Sequence, residues 1–111
     1  MVFYFLQVNT NGLISFVQGV RSYSPQPFPK INNLVVLALF WVDIDTRRCN
    51  ASCHIWYRES THAIELNKAT SEVRRYFPIM KHFTASWTYI VTWDNVAFYG
   101  ASDNGLNKVW N

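Results

Sequence analysis

Residues 84–94 constrain the fold more than any other stretch of the chain. Ala85, Trp87, Tyr89, Val91 and Trp93 alternate with Ser86, Thr88, Ile90, Thr92 and Asp94. A period of two belongs to a β-strand, whose successive side chains point to opposite faces. One face is bulky and expected to be buried; the other carries mostly hydroxyl groups. A single strand leaves its backbone donors and acceptors unpaired, so the chain has to supply partners. Residues 3–8 and 13–17 are two apolar runs separated by Asn9-Thr10-Asn11-Gly12, and Asn and Gly tolerate positive φ. This spacing predicts a β-hairpin. Residues 34–44 are apolar on both alternating sets of positions, as in a strand covered on both faces, and they end at Asp43-Ile44-Asp45. Residues 54–59 supply a partner strand after a short connection. Pro25, Pro27 and Pro29 forbid helix and central strand over 23–29, which reads as an extended loop.

One helix is predicted, over 66–77. Leu66, Ala69, Val73, Tyr76, Phe77 and Met80 share one face at 3.6-residue spacing, and Pro78 ends it. Lys68, Glu72, Arg74 and Arg75 fall off that face. The expected class is therefore α+β: an antiparallel β-rich sheet or sandwich with one amphipathic helix packed on it.

With 111 residues the chain suffices for one small domain. Half of it is apolar and 17% is aromatic, which excludes a disordered segment. The net charge of +3 is spread over small groups, Arg47-Arg48, Arg74-Arg75 and Lys81-His82, so no nucleic-acid partner is expected. The longest apolar run, 34–42, is half of what a membrane helix needs, and no membrane insertion of this segment is expected. Residues 1–8 are mostly apolar but lack the positive leading segment and small-residue cleavage site of a signal peptide.

Cys49 and Cys53 are the only cysteines and bracket Asn50-Ala51-Ser52 between two predicted strands. Across a tight turn they can reach disulfide geometry, with a contribution of roughly 2 kcal/mol from so small a loop. Two free thiols or half of a metal site are the alternatives; zinc would need two further ligands. Asn50-Ala51-Ser52 is also an N-glycosylation sequon at a polar turn tip. A disulfide and a glycan both require an oxidising, luminal history. Asp43 and Asp45 share a strand face, an arrangement with too few oxygens for calcium and the wrong disposition for a glycosidase; a structural role at the strand end is expected, with a weak cation site and catalysis as the alternatives. No Gly-x-Ser-x-Gly elbow, phosphate-cradling glycine loop or His-Glu-x-x-His is present. His54, His62 and His82 are scattered, and the tryptophans Trp41, Trp56, Trp87 and Trp93 are expected to pack in the core. No catalytic residue, cofactor or metal is expected.

Several short motifs occur together in a familiar order. Asn9-Thr10-Asn11-Gly12-Leu13-Ile14-Ser15-Phe16 is followed by Phe40-Trp41-Val42-Asp43-Ile44-Asp45, then Trp56-Tyr57-Arg58-Glu59. After these come Phe83-Thr84-Ala85-Ser86-Trp87, Val91-Thr92-Trp93-Asp94-Asn95-Val96 and Phe98-Tyr99. The series resembles the nidogen-like (NIDO) extracellular domain, in the version found in alpha-tectorin-like proteins, with relatives in membrane mucins and sushi-domain proteins. The resemblance covers nearly the whole chain. It implies a secreted protein or membrane-protein ectodomain and a non-catalytic module for cell–matrix adhesion or matrix assembly. Its partners would be matrix or cell-surface proteins and glycoproteins. It also implies that residues 1–111 are a single domain lacking its C-terminal strands and its signal peptide. The Cys49/Cys53 turn departs from the family pattern. The competing expectation is a carbohydrate-binding module that uses exposed Trp.

Overall fold

The computed structural model describes residues 5–27, 35–48 and 52–100. They fall into two compact units, Met1–Ile55 with Thr92–Asn111, and Trp56–Val91.

The first unit is organised by the hairpin. Strands β1 (Leu6–Asn9) and β2 (Leu13–Phe16) pair antiparallel, with Leu6 opposite Phe16 and Asn9 opposite Leu13. Three residues, Thr10-Asn11-Gly12, make the loop. Gly12 N–H donates to Asn9 O at 3.3 Å, and Gly12 takes φ +79°, the left-handed position that closes a three-residue hairpin with a bulge. Strand β3 (Val35–Ala38) pairs on the other side of β2, with Ile14 opposite Leu37, giving the order β1-β2-β3. As the central strand, β2 is covered on both faces: Leu13, Ile14 and Ser15 are all buried. Complete burial of Leu13 stabilises the fold by about 2 kcal/mol.

The strand expected over 34–44 is shorter than its apolar pattern suggested. It ends at Ala38, and Leu37 and Leu39 are exposed. Beyond Ala38 the chain bends onto the hairpin loop: Leu39 N–H and Phe40 N–H both donate to Gly12 O, and Val42 N–H donates to Asn11 O. Asp43–Asp45 then meets residues 97–99, with Tyr99 N–H on Asp43 O at 2.7 Å and Asp45 N–H on Ala97 O at 2.9 Å. The core here is Leu13, Ile14, Ile44, Trp93 and Val96.

Strands β4 (His54–Ser60) and β5 (Thr88–Asp94), most of whose residues belong to the second unit, form a two-stranded sheet. The Thr88 hydroxyl donates to Ser60 O at 3.2 Å, and the Tyr57 and Tyr89 rings stack at 6.4 Å. Helix α1 spans Ala63–Tyr76, starting three residues before its first core-face leucine. Buried Ser60 organises the entry by accepting the His62 N–H at 3.1 Å.

Two expectations need correction in this unit. Strand β5 begins at Thr88, not Thr84, because residues 83–85 are held by the helix. Arg74 Nε donates to Phe83 O at 2.7 Å, and Ala85 N–H donates to Thr70 Oγ1 at 3.0 Å. Trp87 therefore lies outside the strand and is 56% exposed. The helix face is also not buried as expected: Leu66, Ala69 and Val73 are only half-buried, whereas Tyr76 and Phe77 are exposed. The class itself stands, α+β with antiparallel sheets and one helix.

Candidate functional site

A cleft of about 520 Å³ in the first unit opens where the hairpin loop meets the Asp43–Asp45 segment. Its polar wall comes from Asn9, Thr10, Asn11, Arg21, Asp43 and Thr46, with Tyr99 at one side. The two asparagines build it. Asn9 Oδ1 accepts Asn11 N–H at 2.8 Å, while Asn9 Nδ2 donates to Val20 O. Asn11 Oδ1 accepts Ile44 N–H at 2.9 Å. Short amide side chains that bond nearby backbone are what Asn supplies in turns. Here the second amide reaches 33 residues along the chain.

Asp45 is buried, and its carboxylate is held from three sides. Oδ1 accepts from Arg47 Nε at 2.8 Å and from Arg47 N–H at 3.0 Å, and Oδ2 accepts from Arg47 Nη2 at 2.8 Å. The fork closes the 3-10 turn Thr46–Arg48. The hydrogen bond and charge of Asp45 raise the pKa of Arg47 further above its ordinary value. With both its oxygens accepting from arginine, Asp45 is poorly placed as a general acid or base. Asp43 is half-buried and carries the backbone pairing to Tyr99. Among the described residues no group of three or more His, Cys, Asp or Glu is placed to hold a metal ion.

Tryptophans divide between the units. Trp93 is 8% exposed; its indole N–H donates to Asn9 O at 3.1 Å, and its ring meets Phe40 edge-on, centroids 4.9 Å apart. Trp41 donates to Ser22 O at 3.2 Å. Trp93 is a core residue, as expected, whereas Trp41 is only half-buried. Trp56 and Trp87 are more than half exposed, contrary to the core placement expected for all four. His54, His62 and His82 are exposed and scattered.

Cys49 and Asn50 lie outside the described residues. Cys53 is not a free cysteine, and its Sγ lies 3.0 Å from Asn95 O. The adjacent Ser52 Oγ accepts from Asn95 Nδ2 at 2.9 Å, and Asn95 holds φ +52°, a conformation Asn tolerates better than most residues. The roles of Asn9, Asn11 and Arg47 as the builders of the site were not foreseen. The only signal for them was the Asn-x-Asn-Gly spacing and the basic pair after Asp45.

Asn9, Asn11 and Asp45 of this site belong to the motif series, and comparison with known proteins decides what the series is. The sequence model of the nidogen-like domain matches residues 4–109. The chain belongs to the nidogen-like domain family. It is 39% identical to human (Homo sapiens) alpha-tectorin over 95 residues, which is 86% of this chain and 4% of that protein. Against alpha-tectorin of Gallus gallus it is 40% identical over the same share of each. With Nidogen of Drosophila melanogaster it shares 31% identity over 102 residues, 92% of this chain and 7% of that protein. The chain thus spans only a small part of the length of these relatives. No solved structure matches it. Membership of this family makes the chain extracellular. Among the described residues no helix is long and apolar enough to cross a membrane.

Proposed function

We propose that the chain is a non-catalytic binding module of a larger multidomain protein, serving cell–matrix adhesion or matrix assembly through matrix or cell-surface proteins and glycoproteins. One observation carries the reading. The side chains that mark the family in the first unit, Asn9, Asn11, Asp45 and Trp93, are bonded to the chain itself rather than presented to a substrate. Residues 1–111 act as one nidogen-like domain, and Cys49 and Cys53 form a disulfide across a turn carrying a glycan on Asn50. Support for the pairing comes from Cys53 not being free in a chain with two cysteines.

Secretory expression in cultured cells tests this. The expected result is deposition in the detergent-insoluble matrix or attachment of cells to the coated protein. A non-reducing peptide map should show Cys49 linked to Cys53, and glycosidase treatment should shift the peptide bearing Asn50. A secreted protein that neither deposits nor supports attachment would overturn the adhesion reading. Free thiols at both cysteines would overturn the disulfide.

A second reading rests on Trp56 and Trp87, whose exposed indoles suit stacking on sugar rings. A glycan array compared with Trp56→Ala tests it: a neutral-glycan signal lost in the variant favours a carbohydrate-binding module, and an empty array rejects it.

A further inference from the structure

Across residues 73–91 there is no Asp or Glu, while Arg74, Arg75 and Lys81 supply three cations and His82 adjoins them. Folding gathers these groups. Phe77 N–H donates to Val73 O at 2.9 Å, Met80 N–H to Phe77 O at 2.7 Å and Phe83 N–H to Met80 O at 2.9 Å. Arg74 then clamps the return, donating to Phe83 O and, at 3.1 Å, to Thr84 Oγ1. The end of α1, the 3-10 turn Pro78–Met80 and the segment after it are one fastened knob.

The knob's outer surface is unusual in two respects. Arg75 lies over the Tyr76 ring at 5.3 Å and stays exposed, as do Lys81 and His82. Tyr76, Phe77 and Ile79 beside them are 64%, 59% and 92% exposed. Attraction between cations and the negative end of the helix dipole explains Arg74, which already bonds backbone there. It explains neither Lys81, which lies past the helix, nor the exposed rings.

We propose that this knob binds a sulfated glycosaminoglycan chain, an inference that names one partner class for the matrix module proposed above. Arginine forks suit sulfate oxygens as they suit phosphate. Exposed aromatic rings offer faces to the C–H side of a sugar ring. No carboxylate lies within 73–91 to repel a polyanion; Glu72, one helical turn before Arg75, is the acidic side chain that borders the segment. An anionic membrane is the weaker fit. A helix lying in a bilayer surface exposes its apolar stripe along its length, whereas Leu66, Ala69 and Val73 are half-buried and the exposed apolar side chains, Ile64 and Tyr76, sit at the two ends of the helix.

A glycosaminoglycan, like a nucleic acid, is a linear polyanion whose counterions are released on binding. Three cationic contacts then give a salt slope of about −2 to −3, so affinity should fall about 20- to 40-fold between 50 and 200 mM salt. The test is surface plasmon resonance of the intact chain on immobilised heparin octasaccharide across that salt range. Arg75→Gln and Lys81→Gln each remove one contact, and the same salt step should then cost only about 7- to 12-fold. Lys68→Gln removes an equal charge from α1 outside the knob and should leave the slope unchanged. Far-UV circular dichroism confirms that each variant keeps its helix. No heparin binding, or equal losses in all three variants, would overturn the proposal. So would binding to phosphatidylserine vesicles without binding to heparin, which would reassign the knob to lipid. None of these outcomes bears on matrix deposition, which the secretion experiment reads independently.

Discussion

Replacing Gly12 by Ala tests the hinge on which the first unit turns. Two costs arise at this position. Gly12 holds φ +79°, and an L-residue forced into the left-handed region costs about 1–2 kcal/mol. A Cβ there would also lie 2.8 Å from two Phe40 ring carbons and 2.9 Å from Phe40 O. The ring packs edge-on against Trp93, and the Phe40 N–H is tied to Gly12 O, so neither yields cheaply. Overpacking of this kind costs about 1–3 kcal/mol, giving a total of about 2–5 kcal/mol. At roughly 4 °C per kcal/mol for a chain of this size, the melting temperature should fall by about 8–20 °C. The control is internal to the molecule. Gly100 has φ +83° but nothing within 4 Å of its Cβ position. Gly100→Ala should therefore pay only for conformation, about 1–2 kcal/mol. At Gly19, where no positive φ is involved, a Cβ meets only the end of the Gln7 side chain, which can swing away; that variant should be close to neutral. Thermal melts followed by near-ultraviolet circular dichroism, which reports Trp41 and Trp93 packing, provide the readout. Equal melting temperatures for Gly12→Ala and Gly100→Ala would refute the argument, because they would mean that Phe40 does not press on the loop.

Asp45→Asn keeps the side chain's shape but turns an amide donor toward an arginine donor. It should cost about 1–3 kcal/mol, at the lower end because Arg47 is exposed and can rehydrate; a urea midpoint matching wild type would reject the fork as a structural element. Val17 is a β-branched residue at φ +78°, where strain of about 1–3 kcal/mol is expected. Val17→Gly should therefore raise the melting temperature despite its greater unfolded-state entropy, and a lower value would place the strain elsewhere. Hydrogen bonds from Arg58 and Ser60 depress the Glu65 pKa from 4.5 to about 2. A depressed carboxylate pKa stabilises the fold above the unfolded value and loses that contribution as pH falls through the folded one. Wild type should thus lose stability between about pH 4.5 and 2, and Glu65→Gln should flatten that part of the profile. Parallel acid profiles of the two proteins would refute the assignment.

The parts of this fold legible in the sequence are those governed by near neighbours. Asn9-Thr10-Asn11-Gly12 announced a hairpin because the turn's requirements are met within five residues, and the pairing of Asn9 with Leu13 follows from them. The helix was legible from its spacing, but its start was not. No side chain at the N-cap position His62 marks it; the entry is set by Ser60, which lies two positions further back. The end of β3 could not be read at all. Residues 39–42 are as apolar as the strand before them, and they leave the sheet because Gly12 O and Asn11 O accept their N–H groups. Residues 84–87 alternate as a strand should, yet Thr70 and Arg74 hold residues 83–85. In both cases a partner distant in sequence overrode the local pattern.

That distinction also separates what the family pattern explains from what it leaves open. In the first unit its residues form a closed set: Asn11 holds Ile44, Asn9 holds Asn11 and Trp93, and Asp45 holds Arg47. Each of these positions is accounted for by the bond it makes inside the chain, so at them the pattern specifies a scaffold. In the second unit the same reasoning runs out. Of its pattern residues, Arg58 pairs with Glu65 and Ala85 is buried, but Trp56, Tyr57 and Trp87 project into solvent. Only Ser60 and Ala85 are buried there among the described residues, so packing places few demands on the rest. A surface with that much freedom gains nothing in stability from keeping Tyr76, Phe77 and Ile79 exposed beside Arg75 and Lys81, since apolar side chains left in water forgo the gain of burial. The glycosaminoglycan proposal gives that surface a role, and it assigns the binding to residues of the second unit.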